Sequence, residues 1–376
     1  MGVACRGMRK MKLIALKDVC KINMGQSPNS SSYNDYGDGM PFFQGNADFG
    51  ERYPITRVWC NTPTKIAQAE DILISVRAPI GALNYAKEEC CIGRGLAAIT
   101  PDRNKVSQDF IYWALKGKKA ELNDKGNGST FKAISRKILE ETMIPDINFE
   151  QQHKCAENLE KIYGIIQNRR KELLALDDLI KARFVEMFGN GHDGFCNTKE
   201  LGEFCKFQQG TQVPVEEQIE EQLEGYTRFL RIVDYTQVPQ IPRYVSVKGR
   251  KIAEDSVVIV RYGATAGFVG HGYAGILANN LFEVVPDESI LSKDFLYLAL
   301  KYGTFEQEVH DKAFGAAMPA LSFGMMNDIK VVTPNSTAQN GFADFVRQVD
   351  KSKVAVQKAL DETQTLFDSL MQEYFG

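Results

Sequence analysis

The chain is poor in the marks of catalysis. Its 376 residues contain no G-x-x-x-x-G-K-[ST] phosphate loop and no H-E-x-x-H metal pair. They also lack the Asn-Pro-Pro-aromatic run that adenine methyltransferases use. Gly93-Arg94-Gly95 is a G-x-G without its third glycine, too little for a dinucleotide site. There are only four histidines, His153, His192, His271 and His310. None is patterned with a Ser or Cys nucleophile, and His192 and His271 sit in glycine-rich turns. None of the eight cysteines forms C-x-x-C or a zinc spacing; Cys20 and Cys205 hold equivalent places inside apolar runs and read as core thiols, and the pattern suits a reducing cytosol. No apolar run approaches the roughly 20 residues of a membrane span. Met1–Lys10 is positively charged but has no apolar stretch, so it does not read as a secretion signal. There is no dense basic stripe either. The net charge is −3, with 21 Lys+Arg against 17 Asp+Glu over residues 1–150 and 13 against 19 over residues 191–336. If the ligand is nucleic acid, neighbouring subunits must supply part of the phosphate contact.

What the chain has is a repeat, with an offset of about 185 residues. Leu16-Lys17-Asp18-Val19-Cys20-Lys21, ending at Gly25, answers to Leu201-Gly202-Glu203-Phe204-Cys205-Lys206, ending at Gly210. Asp71 to Arg77 answers to Asp255 to Arg261, and Asp109-Phe110-Ile111-Tyr112-Trp113-Ala114-Leu115 to Asp294-Phe295-Leu296-Tyr297-Leu298-Ala299-Leu300. Each copy runs into a heptad-patterned segment closing in Phe-Gly, at Phe188-Gly189 and Phe375-Gly376. A molecule of two like halves suits a two-fold partner, and duplex DNA is the commonest.

Short apolar runs between Gly-, Pro-, Ser- and Asn-rich turns predict strand-rich heads at 12–148 and 198–335. One helix is expected over Gln108–Lys119 and another opening near Ser135. From Glu150 to Phe188 there is no proline and one glycine. Leu159, Ile162, Ile166, Leu173, Leu176, Ile180 and Met187 follow an a/d heptad series that Arg169 and Arg183 interrupt. Such a helix would be about 58 Å long. The second series runs Phe342, Val346, Val349, Val356, Leu360, Thr363, Phe367, Leu370 and Tyr374. The expected order is an N-terminal extension at 1–11 (natural start at Met8 or Met11), a head, a helix at 149–189, a linker at 190–197, a head, and a helix at 336–376. The fold class is α+β, with two strand-rich α/β heads in pseudo-two-fold repeat and two long helices pairing as an antiparallel coiled coil. The acidic run Glu216, Glu217, Glu220, Glu221 and Glu224 reads as a solvated helix face, turned away from phosphate.

The positive functional signal is a set of polar loop residues at matching places. Base edges are read by Arg, Lys, Asn, Gln, Ser and Thr, and loops on a rigid scaffold can vary without disturbing the fold. Candidates are Gln26, Ser27, Asn46, Arg77, Arg94, Ser129, Thr130 and Lys132 in the first head, and Gln209, Thr211, Arg231, Arg261 and Tyr262 in the second. Arg77 and Arg261 stand out, because both end an apolar strand at the same repeat position.

Head, long helix, head, long helix resembles the specificity subunit of Type I restriction-modification systems. The resemblance covers nearly the whole chain from about residue 12. Its marks are Leu16-Lys17-Asp18-Val19 with Gly25-Gln26-Ser27-Pro28, Asp71 to Arg77, Asp109 to Leu115, and Ile144-Pro145 followed by Glu150-Gln151-Gln152. Phe184-Val185-Glu186-Met187-Phe188-Gly189 completes the set. The second copy departs at the helix entry, with Pro334 and then Gln339-Asn340. The resemblance implies that each head is a target-recognition domain reading half of a split double-stranded DNA target. The helices act as a ruler across the unread spacer. Two modification (methyltransferase) subunits and an ATP-dependent restriction subunit assemble around the chain in the cytoplasm. The chain itself needs no cofactor or metal and catalyses nothing. Two other readings stand beside it. One is a coiled-coil scaffold with two ligand-binding heads and no DNA role. The other is a cryptic nuclease or fused modification protein, for which the sequence offers no acidic metal cluster or methyl-donor motif.

Overall fold

Three adjacent strands of the main sheet in each half pair in a register that repeats with an offset of 185 residues, and the flanking strands follow within one or two residues of it. The computed structural model describes residues 12–126, 132–189, 196–237, 240–313 and 320–376. The extension at 1–11 and linker residues 190–195 lie outside the described residues. The chain forms two compact units. One comprises residues up to Arg169 together with Ala359–Gly376, and the other is Arg170–Lys358. The division runs through both long helices rather than at their ends.

In the first unit a four-stranded antiparallel sheet has the order Cys20–Met24, Leu96–Pro101, Ile72–Ser75, Leu83–Tyr85. Five short strands form a second sheet, in which Met40–Phe43 runs parallel to Cys90–Ile92. Leu13–Ala15 pairs with Met143–Pro145 beneath the helix entry. Ile72, Leu73, Ile74, Leu96, Ala97, Ala98 and Ile99 are fully buried. Both faces of these strands are covered, so they read as continuous apolar runs without alternation. Gly25 stands where strand and loop cross. A β-carbon there would lie 2.2 Å from the Gly93 carbonyl oxygen.

The helix Gln108–Gly117 buries every residue from Phe110 to Leu115, more than a single amphipathic stripe. One side meets its own head, where Tyr112 stacks on Tyr85 at 4.7 Å. The other meets the long helices, where the Trp113 ring lies 5.5 Å from Tyr163 and 5.7 Å from Phe367. Arg52 ties a head loop to the central helix. It pairs with Glu160 at 2.8 Å, and its guanidinium lies over the rings of Tyr85 and Tyr112.

The second unit repeats this plan. Its antiparallel sheet has the order Cys205–Gln209, Leu281–Pro286, Val257–Val260, Val269–Gly270. Thr227–Leu230 runs parallel to Gly275–Leu277 in a second sheet. Thr198–Glu200 pairs with Lys330–Val332, and the helix is Lys293–Tyr302. Gly210 repeats the close approach of Gly25, its β-carbon position lying 2.1 Å from the Ala278 carbonyl oxygen. The acidic stretch is exposed but is not a helix. Only Val215–Glu217 makes a 3₁₀ turn, and Glu220 pairs with Arg243 at 2.6 Å. After this turn the chain straightens to bridge Tyr244 through Ile219.

The long helices are Phe149–Phe188 and Ser336–Phe375. In the first unit, pairs run Asn158–Tyr374, Tyr163–Phe367 and Arg169–Thr363, so the segments are antiparallel. In the second, Asp177 meets Lys353 at 2.5 Å and Phe184 meets Phe342 at 5.4 Å, again antiparallel. Leu159, Ile166, Ile180, Val349, Leu360 and Phe367 are buried; Ile162, Leu173, Leu176, Val356 and Leu370 are half-buried. Arg169 does not break the seam. Its guanidinium reaches across to the Ala359 carbonyl and the Thr363 hydroxyl, where its charge finds acceptors. Phe184 and Phe188, absent from the heptad list, are fully buried against Phe295 and Phe342.

Each helix is fastened to its head by one glutamine. The Gln152 side-chain oxygen accepts from the Ser107 N–H at 2.7 Å, and its amide donates to the Ile147 carbonyl at 2.8 Å. Gln339 does the same with Ser292 N–H at 3.0 Å and the carbonyls of Ile290 and Pro334 at 2.9 and 2.8 Å. Gln339 therefore takes the place of Gln152 in the second copy, although its proline stands two residues nearer and Ala338 replaces Gln151. Both side chains are buried. Gln152→Ala orphans buried partners and is expected to cost about 1–3 kcal/mol. A shift in denaturant midpoint with an unchanged slope checks it.

Candidate nucleic-acid interface

In the first unit, backbone hydrogen bonds gather the loop residues onto one edge. Gly25 N–H donates to Leu96 and Gln26 N–H to Ile92, at 2.9 and 3.0 Å. Gly95 N–H donates to Gln44 at 3.1 Å, and Val76 N–H to Gly95 at 2.9 Å. Ala78 N–H donates to Lys132 at 3.1 Å. Gln26, Ser27, Arg77, Arg94 and Lys132 thus sit on adjoining turns, with Asn46 just beyond Gln44. The Ser27 hydroxyl accepts from the Arg94 N–H at 3.2 Å, locking two of these turns together. Arg77, Arg94 and Lys132 are exposed, and among the described residues none forms a salt bridge. Ser129 and Thr130 lie outside the described residues.

The second unit builds the same edge with different side chains. Gly210 N–H donates to Leu281 and Thr211 N–H to Leu277, at 3.1 and 2.6 Å. Exposed Gln209 donates to the Asn279 carbonyl at 3.1 Å. The Asn279 amide donates to the Gln212 side-chain oxygen at 3.4 Å. Gln212, Asn279 and Asn280 were not among the sequence candidates; Asn279 and Asn280 are half-buried at the turn. The Asn280 side-chain oxygen is buried and has no hydrogen-bond partner among the described residues.

Three candidates change their standing here. Arg77 and Arg261 are not equivalent. Ile72 faces Ile99 and Val257 faces Val284, so the sheets superpose with an offset of 185, whereas matching Asp71 to Asp255 implies 184. Arg77 bridges Ala133 and Tyr262 bridges Ala320, which makes those two the true counterparts. Arg261 corresponds to Val76, because both residues accept from the loop beyond, from Leu321 and Ile134 respectively. A one-residue slip turns a strand residue to the opposite face. Arg261 is accordingly half-buried, its Nε donating to Leu321 at 3.3 Å and its guanidinium lying 4.7 Å from the exposed Tyr262 ring.

Arg231 is a structural residue. Its Nε donates to the buried Asp234 carboxylate at 3.0 Å, and its guanidinium to the Ile241 carbonyl at 2.9 Å. Arg231→Ala is expected to lower stability by about 1–2 kcal/mol, since Asp234 would keep the backbone N–H of residue 231, at 2.9 Å, but its only remaining cationic contact would be the longer one to Arg228, at 3.6 Å. A thermal melt checks the loss, with unaltered sequence preference in the surviving protein. Thr211 is likewise occupied, its hydroxyl accepting from the Arg250 N–H at 2.8 Å.

Burial pushes the thiols of Cys20, Cys90, Cys155 and Cys205 up to about 12, leaving them protonated and unreactive. Among the described residues no group of three His, Cys, Asp or Glu is placed to hold a metal ion, and no helix is long and apolar enough to cross a membrane.

The model of the Type I restriction modification DNA specificity domain matches the chain twice, over residues 8–175 and 196–363. The chain belongs to the Type I restriction-modification DNA specificity family. The doubled domain gives it a DNA sequence-specificity role and places it with DNA and with other subunits of such a system. Its relatives agree. The putative type I restriction enzyme MjaX specificity subunit of Methanocaldococcus jannaschii is 47% identical over 152 residues, a match that spans 40% of this chain and 36% of that protein. The type I restriction enzyme MjaIX specificity subunit of the same organism is 22% identical over 400 residues, covering 95% of this chain and 90% of that protein. The fold is similar to that of the S subunit of a Type-I restriction-modification system from M. genitalium. The TM-score is 0.61 at 18% identity, over 100% of this chain and 98% of that one.

Proposed function

We propose that each unit's loop edge reads one half of a bipartite DNA target and that the paired helices set the spacer between the halves. The observation that carries this reading is the pair of equivalent loop edges, held by the same backbone hydrogen bonds but furnished with different side chains. A shared scaffold with divergent tips is what two recognition surfaces for two sequences require. In this reading Gln26, Ser27, Asn46, Arg77, Arg94 and Lys132 serve the first half-site, and Gln209, Tyr262 and Arg261 the second. Two modification subunits and a restriction subunit assemble on the chain, the former methylating adenine. The specificity subunit itself performs no chemistry and works in the cytoplasm. The weak net charge fits a reader whose phosphate contacts are shared with its partners.

The test is binding by the assembled complex of this chain and its modification subunit to a randomised duplex library. A split site preferred by about 10³-fold or more over bulk sequence is expected. A scaffold with no DNA role would show no preferred sequence.

A further inference from the structure

Superposed at the offset of 185, the turn Gly93-Arg94-Gly95 of the first unit becomes Ala278-Asn279-Asn280 in the second. The facing loop changes with it, Ser27 giving way to Gln212. The cross-loop contact is kept, Ser27 to Arg94 in one unit and Gln212 to Asn279 in the other, at 3.2 and 3.4 Å. Next to this turn, exposed Arg77 is replaced by Tyr262. At this turn the first edge therefore presents the guanidinium of Arg94 and the second the carboxamides of Asn279 and Asn280, at the same place in the same scaffold.

These groups suit different bases. A guanidinium has only donors and matches the paired acceptors O6 and N7 of guanine, whereas a carboxamide offers one donor and one acceptor and matches N7 and N6 of adenine. Asn279 gives one N–H to Gln212, which fixes the plane of its amide and leaves its second N–H and its side-chain oxygen for an adenine edge. Ser27 holds the Arg94 backbone and leaves the whole guanidinium for the ligand.

We propose that Arg94 and Asn279 are the corresponding specificity-determining residues of the two heads, Arg94 selecting guanine in one half-site and Asn279, oriented by Gln212, selecting adenine in the other. The proposal rests on the reading of the two edges as base-reading surfaces.

The assembled complex is measured against duplexes carrying all four base pairs at each position of the target. The wild-type complex comes first; if it prefers no sequence, the base-reading function itself fails. Given a preference, Asn279→Ala should flatten discrimination at one adenine by roughly 5- to 150-fold and leave the other half-site unchanged. Arg94→Ala should do the same at one guanine of the opposite half. Gln212→Ala should weaken discrimination at the same adenine as Asn279→Ala, which keeps the test available if the asparagine variant folds poorly in a thermal melt. Unchanged discrimination in the folded variants overturns the proposal. So does a uniform loss of affinity for every duplex, the mark of a phosphate contact.

Discussion

Exchanging residues 12–148 for the equivalent head of another family member is expected to replace one half of the recognised sequence and leave the other half and the spacer intact. The expectation follows from how the first unit is closed. Its head packs on its own segments of the long helices through Trp113, Tyr163 and Phe367, and Gln152 fixes the entry of the central helix. The second unit has its own core, around Phe184, Phe188, Phe295 and Phe342, and its own locking glutamine. The effect is all-or-none at the exchanged half-site, on the scale of the 10³-fold or greater separation of specific from non-specific binding. The measurement is the methylated motif of cells carrying the hybrid with its modification subunit. A hybrid that changed both halves, or neither, would contradict independent reading. A donor head should retain the glutamine's donor, the backbone N–H at position 107, or the hybrid loses stability for reasons unrelated to DNA.

The second large effect concerns the spacer. Adding one heptad to each long helix, after Arg170 in one and before Lys358 in the other, keeps the a/d pattern in phase and adds seven residues, about 10.5 Å of helix. The preferred spacer should grow by about three base pairs while both half-sites stay the same. The paired insertion is essential. Lengthening one helix alone would shift Arg169 from Ala359 and Thr363, or Asp177 from Lys353, and uncouple the seam. Comparing binding to duplexes with spacers from one to six base pairs longer than the natural one reads the result. An unchanged spacer in a folded double insertion would remove the ruler function from the helices.

Much of this architecture is written openly in the sequence. The repeat survives as matched apolar runs because both copies must fill the same core, and the heptads survive because the seam needs the 3.5-residue period. What escaped the sequence has identifiable physical causes. Phe184 and Phe188 fall off the a/d series because the helix there packs on its head as well as its partner helix, and two contact surfaces need a wider apolar face. Gln152 and Gln339 are legible as part of the proline-then-glutamine helix entry, but their locking role appears only when their partners, forty-five and forty-seven residues away, are placed beside them.

The candidate site was less legible than the fold. Matching Asp71 to Asp255 satisfied identity but missed the register by one, because Asp71 and Ser256 do the same work with different chemistry. Each accepts a backbone N–H three residues upstream, from Gln68 and Ala253. Arg231 looked like a base reader because its loop is polar; its buried carboxylate partner, Asp234, is visible only in three dimensions. Asn279 and Asn280 passed unnoticed because nothing in a lone Asn-Asn distinguishes a turn former from a recognition residue.

The most direct test of the central claim is methylome sequencing of cells expressing this chain with its modification subunit, beside cells lacking the chain. A new adenine-methylated motif in two separated halves is the expected result, and it yields both half-sites and the spacer together. An assembled complex that produces no new motif, or one unbroken motif, would contradict the account.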